Sequence, residues 1–344
     1  MVPKVSIVVS TFNGERHIKE AIASLLSQSF RDFELIVVND GSTDHTAEIV
    51  RAFGDARLLL VESERNRGIA ESQNEAIKIA RGEYIALQDH DDVSALDRLE
   101  MQVAFLGINP KIDLVGSECI VIDGDGKPTG NFTVPLSDID LKWALLMHNP
   151  FLHTSVLFRR SALSFVGAYS PAAEFRYAED FEFLSRFGAQ CTVANIPQPL
   201  VKWRNYDSQT SARNLPAQEH SAMSIATRNM NNLLGDKAVE SSKWLALKKL
   251  LLAKHREQVA ISEGEVYVVA ELISSLQEAF YRKHDFTSDV IAEHRRKLSR
   301  LIGKHFVALA CRRNERINLR SRSALFTLGS RLLLQRSSVG IAVG

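Results

Sequence analysis

Tyr84-Ile85-Ala86-Leu87-Gln88-Asp89-His90-Asp91-Asp92 sets an apolar, strand-like run directly against three carboxylates and an imidazole. A strand that ends in clustered acids delivers hard oxygen donors to the carboxyl edge of a sheet, where open α/β sheets bind their ligands. Carboxylates in that place suit Mg²⁺ or Mn²⁺, which bind through one or two protein carboxylates together with a substrate's phosphates. Taken alone, the same acids serve equally well as the cap of a helix starting near Ser94. The flanking sequence decides between the two readings.

Upstream, Val5-Ser6-Ile7-Val8-Val9-Ser10 is short and β-branched and is broken by Asn13-Gly14, which predicts a strand. Ile18, Ile22, Leu25 and Leu26 recur at helical spacing between Glu15 and Ser27. Phe33 to Val38 forms a second apolar run, ended by Asn39-Asp40-Gly41-Ser42, and Ser42-Thr43-Asp44 opens a helix through about Phe53. Arg57 to Val61 reads as a third strand, 68–80 as a helix and 83–88 as a fourth strand. Such alternation predicts right-handed βαβ units on a Rossmann-like, mostly parallel sheet of the α/β class. Ligand chemistry then gathers at Thr11, Asp40 and the acids 89–92. From about 94 to 205 helices mix with short strands at 114–121, 154–158 and 192–196, with a hairpin signal at Asp123-Gly124-Asp125-Gly126. Beyond Ser211 long helical patterns take over. A boundary is placed near 215, with Pro216 as a break, giving an α/β region 1–215 and a helical region 216–344.

The chain has 344 residues, 45% hydrophobic and 24% charged, and a formal net charge of +1. That length allows more than one domain, and the neutral balance gives the chain as a whole no electrostatic reason to seek nucleic acid. Cys119, Cys191 and Cys311 form neither a metal-ligand pair nor a disulfide framework, which fits a reducing cytosol. The N-terminus lacks the pattern of a signal peptide, and no uncharged run reaches the ~20 residues of a membrane span. Between Arg295 and Arg336 the charge is one-sided: Arg295, Arg296, Lys297, Arg300, Lys304, Arg312, Arg313, Arg316, Arg320, Arg322, Arg331 and Arg336 face only Glu315. Apolar residues interleave with them, as in a basic amphipathic helix on a membrane surface. A solvated basic face packed on protein is the competing reading. Nucleic acid is disfavoured because no aromatic stacking platform accompanies the charge. The expected location is cytoplasmic, or peripheral on the inner face of the membrane.

In order, Ser6 to Asn13, Ser27 to Asp44, Asn66-Arg67-Gly68 with Asn74, and Gly82 to Asp92 closely resemble the family 2 glycosyltransferases, the inverting group with the A-type nucleotide-sugar fold. The likeness covers roughly residues 4–205. It implies that Asp40 recognises the nucleobase, since a fixed carboxylate accepts strongly from a uracil ring N–H; its other reading is a turn or cap residue. Thr11 stands beside the base or ribose, or caps a helix. Arg67 supports the nucleotide or holds its loop. Asp91 occupies the metal position of an Asp-x-Asp pair, with Asp89 on the ribose or on a metal-bound water, and Mn²⁺ or Mg²⁺ bridges the two phosphates. His90 lies at a variable position and is not taken as a ligand. Asp92 caps the helix through Arg98, itself the family's usual basic residue after the acids.

An inverting displacement also needs a base that takes the proton of the acceptor hydroxyl. Ala178-Glu179-Asp180-Phe181 resembles the family's Glu-Asp segment, which makes Asp180 the base and Glu179 its orienter or an acceptor contact; the alternative is a pair of acids at a helix start. His153, in His153-Thr154-Ser155-Val156-Leu157-Phe158-Arg159-Arg160, lines the acceptor pocket or is a hydrogen-bonded structural histidine. Arg204, in Trp203-Arg204 with Ser208 and Ser211 following, steadies the diphosphate or pairs with an acid of the fold. Processive members carry Gln-x-x-Arg-Trp and membrane helices; Gln198 to Trp203 does not fit that spacing, so transfer of one sugar from a nucleotide-sugar donor, probed first with UDP, is expected. The expected acceptor is a glycan or a lipid-linked glycan. Two rivals remain: a nucleotidyltransferase, which would need a Gly-rich phosphate loop near the first strand, and a non-catalytic nucleotide-sugar-binding protein, which would need no base.

Overall fold

The structure, a computed structural model, describes residues 2–207, 209–235, 241–247, 249–250, 260, 262–311 and 319–334. Ser208, Arg312, Arg313, Glu315, Arg316 and Arg336 lie outside the described residues, as do the side chains of Ser211, Cys311, Arg322 and Arg331.

Along the first half run β1 (Val5–Thr11), α1 (Ile18–Leu26), β2 (Phe33–Asn39), α2 (Thr46–Arg51), β3 (Leu58–Glu62), α3 (Ile69–Ile79), β4 (Tyr84–Asp89), β5 (Val93–Ser94) and α4 (Arg98–Ile108). There follow β6 (Leu114–Ile122), β7 (Pro128–Phe132), α5 (Asp138–Ala144), β8 (Leu157–Arg159), α6 (Leu163–Val166), α7 (Glu179–Gln190) and β9 (Val193–Arg204). The rest is helical: α8 (Thr210–Arg213), α9 (Leu215–Leu234), α10 (Ser241–Leu247), α11 (Glu263–Lys283), α12 (Ser288–Cys311) and α13 (Leu319–Leu334).

One sheet of order β3-β2-β1-β4-β8-β6-β9-β5, with β7 added to β6, organises the first unit. β1, β2, β3 and β4 are mutually parallel, β8 runs against them, and β6 and β9 run parallel to each other. The expected α/β, mostly parallel sheet is therefore present. Its central strands are buried on both faces, as parallel strands covered by helices must be: Val5, Ile7, Val8 and Val9 of β1 have no exposed surface. Ile18, Ala21, Ile22 and Leu25 form the buried stripe of α1, and each fully buried Leu or Ile contributes roughly 1.5–3 kcal/mol.

Register brings the predicted residues to one edge. Ser10 pairs with Asp89, Thr11 pairs with Asn39, and the N–H of Asp40 donates to the Thr11 carbonyl at 2.8 Å. Several expectations change. α4 begins at Arg98, not near Ser94, because Val93 and Ser94 pair with Lys202 and Val201 of β9. Asp92 caps no helix; it accepts the Arg204 N–H at 2.7 Å. The run 154–158 divides into a 3₁₀ turn, His153–Ser155, and β8. β9 extends to Arg204, so the Trp203-Arg204 pair lies on a strand.

The chain divides into two compact units, Met1–Ala226 and Thr227–Gly344. That division falls inside α9 rather than near 215. Pro216 does not break the chain there; it stands in the first turn of α9, where a missing N–H costs no helical bond. In the second unit α12 packs on α13 so closely that a Cβ on Gly329 would lie 2.8 Å from the Gly303 carbonyl oxygen. Leu298, Ile302, Phe306 and Leu309 are buried, so the apolar stripe of α12 is consumed within the helical unit. Among the described residues no helix is long and apolar enough to cross a membrane.

Candidate active site

Asp40 sits just past β2, 3% exposed. Its Oδ1 accepts the Arg67 N–H at 2.9 Å and its Oδ2 the Gly68 N–H at 2.8 Å, so it holds the turn that opens α3. Gly41, at φ +71°, makes this closeness possible: a Cβ there would lie 2.5 Å from the Arg65 carbonyl carbon and 2.7 Å from the Asn66 nitrogen. A carboxylate has about four acceptor positions, so two backbone bonds leave room for a ring N–H. Arg67 reaches Ser63 Oγ at 2.5 Å, pairs with Glu75 and stands 3.9 Å from Asp40 Oδ1. These contacts hold the loop.

The β1 and β2 ends are knitted together. The Asn13 N–H donates to Ser42 Oγ at 2.9 Å, the Gly14 N–H to Thr46 Oγ1 at 2.8 Å, and the Thr43 N–H to Asn13 Oδ1 at 2.9 Å. Thr11 lies beneath this loop; a Cβ on Gly14 would stand 2.5 Å from its Oγ1 and 2.8 Å from His90 Cδ2. The Thr11 hydroxyl and the Gln73 Oε1 are buried without a hydrogen-bond partner among the described residues. Leaving such an atom unpaired costs about 1–3 kcal/mol.

At the β4 edge each acid has its own keeper. Asp89 Oδ1 meets His153 Nδ1 at 2.9 Å. Asp91 Oδ2 accepts the Tyr206 hydroxyl at 3.0 Å, and the Asp91 carbonyl accepts Arg204 Nε at 2.8 Å. Asp92 is buried; burial and then the Asp91 and Asp89 charges push its pKa well above the usual carboxylate range. Beneath them Arg98, with no exposed surface, donates to Gln102, Gln88, Ser94 and the carbonyls of Leu87 and Val156. Burial pulls Arg98 down to about 9, against the pull of the Asp89 and Asp92 charges, so at neutral pH it stays a cation under the acids.

Arg204 is only 2% exposed. Besides Asp91 it donates to the carbonyls of Asp123 and Gly124 and to Glu20 Oε2 at 2.6 Å. Of the two readings open for it, the Glu20 contact is the pairing with an acid of the fold, and the same guanidinium also anchors the Asp91 carbonyl.

Antiparallel pairing of Ala86 with Leu157, carried three residues further, places Thr154 opposite Asp89; the Asp89 N–H indeed lies 3.3 Å from Thr154 Oγ1. That register delivers His153 to the acids. Its Nε2 meets the Tyr169 hydroxyl at 3.0 Å. Burial alone would lower the pKa of His153, but the Asp89 charge and hydrogen bond outweigh it and hold the value above the ordinary one. For Asp89 the low-dielectric surroundings raise the carboxyl, and the His153 charge and hydrogen bond overcome that and hold it low.

Glu179 and Asp180 open α7. Asp180 Oδ2 accepts the Asn149 side-chain amide at 2.8 Å, and the Asp180 charge is felt at both His153 and Tyr169. Burial raises the pKa of Glu179. Glu179 lines a cavity of about 310 Å³ whose other walls include Asn66, Arg67, Gly68 and Arg176. Asn149 and Tyr206 carried no signal in the sequence as site residues, because each is polar or aromatic in a loop and gains meaning only from its partner. Cys119 and Cys191 are pushed up to about 12 and about 11 by burial, so neither is a nucleophile at neutral pH.

Among the described residues no three His, Cys, Asp or Glu side chains form a cation cage. The donor set nevertheless fits Mg²⁺ or Mn²⁺. Asp89 Oδ2 and Asp91 Oδ1 are hard oxygens with no hydrogen-bond partner among the described residues, and such cations complete their shell with phosphate oxygens and water.

Residues 6–164 match the family model for glycosyl transferase family 2. An uncharacterized glycosyltransferase of Haemophilus influenzae is 31% identical over 244 residues, 67% of this chain and 75% of that protein. The fold is similar to S. aureus TarS 1–349 in complex with UDP, with a TM-score of 0.54 and 19% identity over 95% of this chain and 90% of that one. It is also similar to the mannosyltransferase PcManGT of Pyrobaculum calidifontis, solved with GDP-Man and Mn²⁺, with a TM-score of 0.51 and 18% identity over 98% and 88%. Matched over residues 6–164 by the family model and along 67% of its length by a relative 31% identical to it, the chain belongs to glycosyltransferase family 2.

Proposed function

We propose that the chain transfers one sugar from a nucleotide-diphosphate donor, a UDP-sugar foremost, to an acceptor hydroxyl with inversion. The observation that carries this reading is the shared cavity: the Asp40-held turn Asn66–Gly68 and the α7 acid Glu179, neighbour of Asp180, line one space of about 310 Å³. That cavity supports a substrate spanning the turn that Asp40 holds and the start of α7, beside which Asp180 stands. Asp180 takes the acceptor proton as the acceptor oxygen bonds to the anomeric carbon, and the bond from that carbon to the diphosphate breaks with its electron pair leaving on the nucleotide. When bound, a divalent cation supplies electrostatic stabilisation of the leaving diphosphate; Asp91 and Asp89 would hold it. Asp40 keeps lone pairs for a uracil ring N–H, which a dTDP-sugar presents equally. The buried, unpaired hydroxyl of Thr11 supports a polar ligand at the β1 end. A nucleotidyltransferase finds less support, since Asn13-Gly14-Glu15-Arg16 is knitted to 42–46 and offers no glycine-rich phosphate loop.

The test is a panel of UDP-, dTDP- and GDP-sugars with Mn²⁺ or Mg²⁺, reading nucleoside diphosphate release with and without glycan acceptors. Release from one nucleotide class that rises with acceptor is expected; pyrophosphate release from a nucleoside triphosphate and a sugar phosphate would instead mark a nucleotidyltransferase.

We further read the acceptor as a glycan assembled at a membrane. On α12, Arg296, Arg300 and Lys304 are exposed at four-residue spacing beside Leu301, which is 65% exposed. Each such cation near an anionic surface adds about 1 kcal/mol. Full-length protein should pellet with phosphatidylglycerol vesicles and lose most of that binding in the Arg296→Glu/Arg300→Glu/Lys304→Glu variant; equal pelleting of both would remove the membrane from the reading.

A further inference from the structure

Tyr169 is touched from three directions that the reaction scheme above leaves unused. Its backbone is clamped by Asn74 of α3: Nδ2 donates to the Tyr169 carbonyl and the Tyr169 N–H donates to Oδ1, both at 2.8 Å. Its ring lies flat on Phe183 of α7, with centroids 4.0 Å apart and planes at 15°. Its hydroxyl meets His153 Nε2 at 3.0 Å, and His153 Nδ1 meets Asp89 at 2.9 Å. Tyr169 is 2% exposed and Phe183 has no exposed surface, so neither contact is a surface accident. Phe183 lies three residues beyond Asp180 on the same helix, which also carries Arg186, whose guanidinium donates to the carbonyls of Val166 and Ala168. The loop before α7 and the helix itself are thus bound as one piece. Phe158 of β8 packs against Phe183 and Phe187 of that piece, and Asn149 reaches Asp180. The Tyr169 hydroxyl is the contact that meets His153, the residue on Asp89.

We propose that Tyr169 is a positioning residue: its hydroxyl, acting through His153, sets the spacing between Asp89 on the donor side and Asp180 at the start of α7. This rests on the transferase reading with Asp180 as base. A two-carboxylate site spread over a strand end and a helix start has no covalent or ladder connection between its halves, and a misplacement of about 1 Å at a reacting group can cost roughly 10²-fold in rate. A buried tyrosine with its ring seated on the base helix and its hydroxyl on the donor side is a rigid connection of the required kind, because the ring has few rotamers to lose.

The experiment uses the full chain with Tyr169→Phe and Tyr169→Leu. Tyr169→Phe removes the hydroxyl and keeps the stack; Tyr169→Leu removes both. UDP is the binding probe, and UDP-glucose and UDP-N-acetylglucosamine are the turnover probes, with UDP release read against water and against glycan acceptors. Tyr169→Phe is expected to lower kcat about tenfold with the UDP Kd within twofold of wild type, and Tyr169→Leu to lower kcat further with the same Kd. Amide exchange of Glu182–Ser185 should rise at least about fivefold in Tyr169→Phe while β1 and β4 stay protected, since the opened unit is α7 alone. This arm needs no substrate. Unchanged exchange in α7, or an unchanged kcat, overturns the proposal, and so does a loss of UDP affinity that parallels kcat, which marks a merely structural residue. Asp180→Asn separates the two readings. If it releases UDP at the wild-type rate, the base assignment has failed; if it is inactive while Tyr169→Phe is as fast as wild type, only the role of Tyr169 has failed.

Discussion

On the strand side of the site, Asp40 takes its hydrogen bonds from the backbone N–H groups of Arg67 and Gly68, and Asp92 takes one from that of Arg204. On the α7 side, Asp180 accepts from the side chain of Asn149, and the turn that leads to it is fixed by the side chains of Asn74, Phe183 and Arg186. Backbone bonds follow from sheet register and survive most substitutions. Side-chain bonds between distant segments vanish with one residue. The Asp40 corner is accordingly built as part of the fold, and the α7 half is docked onto it by side chains, as Asp89 and Asp91 are held by His153 and Tyr206.

Asp180→Asn tests the docked half most severely. It should cut sugar transfer roughly 10²–10⁴-fold, the range of a general base, and leave UDP affinity unchanged in calorimetry; near-normal transfer would remove the distinction of roles between the two halves. Next is Asp91. Tyr206→Phe takes away the hydroxyl that orients its carboxylate and should weaken Mn²⁺-dependent UDP binding about 10–100-fold, as loss of an outer-shell partner does, with metal-free binding unmoved.

Gly41→Ala probes the built half. A residue at φ +71° pays about 1–2 kcal/mol for the left-handed conformation, and here its Cβ would also press on the Arg65–Asn66 backbone. Gly54→Ala shares the positive φ, +58°, with nothing within 4 Å of the added carbon. Thermal unfolding should fall in both and further in Gly41→Ala, and only Gly41→Ala should weaken UDP binding. Equal effects would show that the Asp40 turn is not clamped by close approach.

The smallest effect concerns the join between the halves. His153 has a raised pKa when folded, so the stability it draws from Asp89 is full below its free value of 6.5 and is lost as pH rises through the folded value. Asp89 has a lowered one, so its share is present above 3.8 and is lost as pH falls through the folded value. The difference in melting temperature between wild type and His153→Gln should therefore be greatest at mildly acidic pH and shrink toward both ends. A difference that is flat across pH would mean that the pair carries no charge.

How much of this was legible beforehand differs between the two halves for the same reason. Strand runs such as Val5–Val9 and Phe33–Val38 announce buried parallel strands, and the alternation with helices brings Thr11, Asp40 and Asp89 to one edge because a parallel sheet aligns its strand ends. Resemblance then marked Asp180 as the partner acid. Asp92 was misread as a helix cap because its true partner, the Arg204 N–H, is 112 residues away. Likewise Pro216, read as a break, is the first turn of a helix. His153 and Arg204 each kept two open roles. By itself the sequence determined the parallel sheet, its ligand edge and the acids set on it, because periodicity and strand ends are local properties. Only the tertiary structure decided which side chain holds each acid, since those bonds depend on the antiparallel insertion of β8 beside β4 and on the seating of α7 against Tyr169, and no local pattern encodes either.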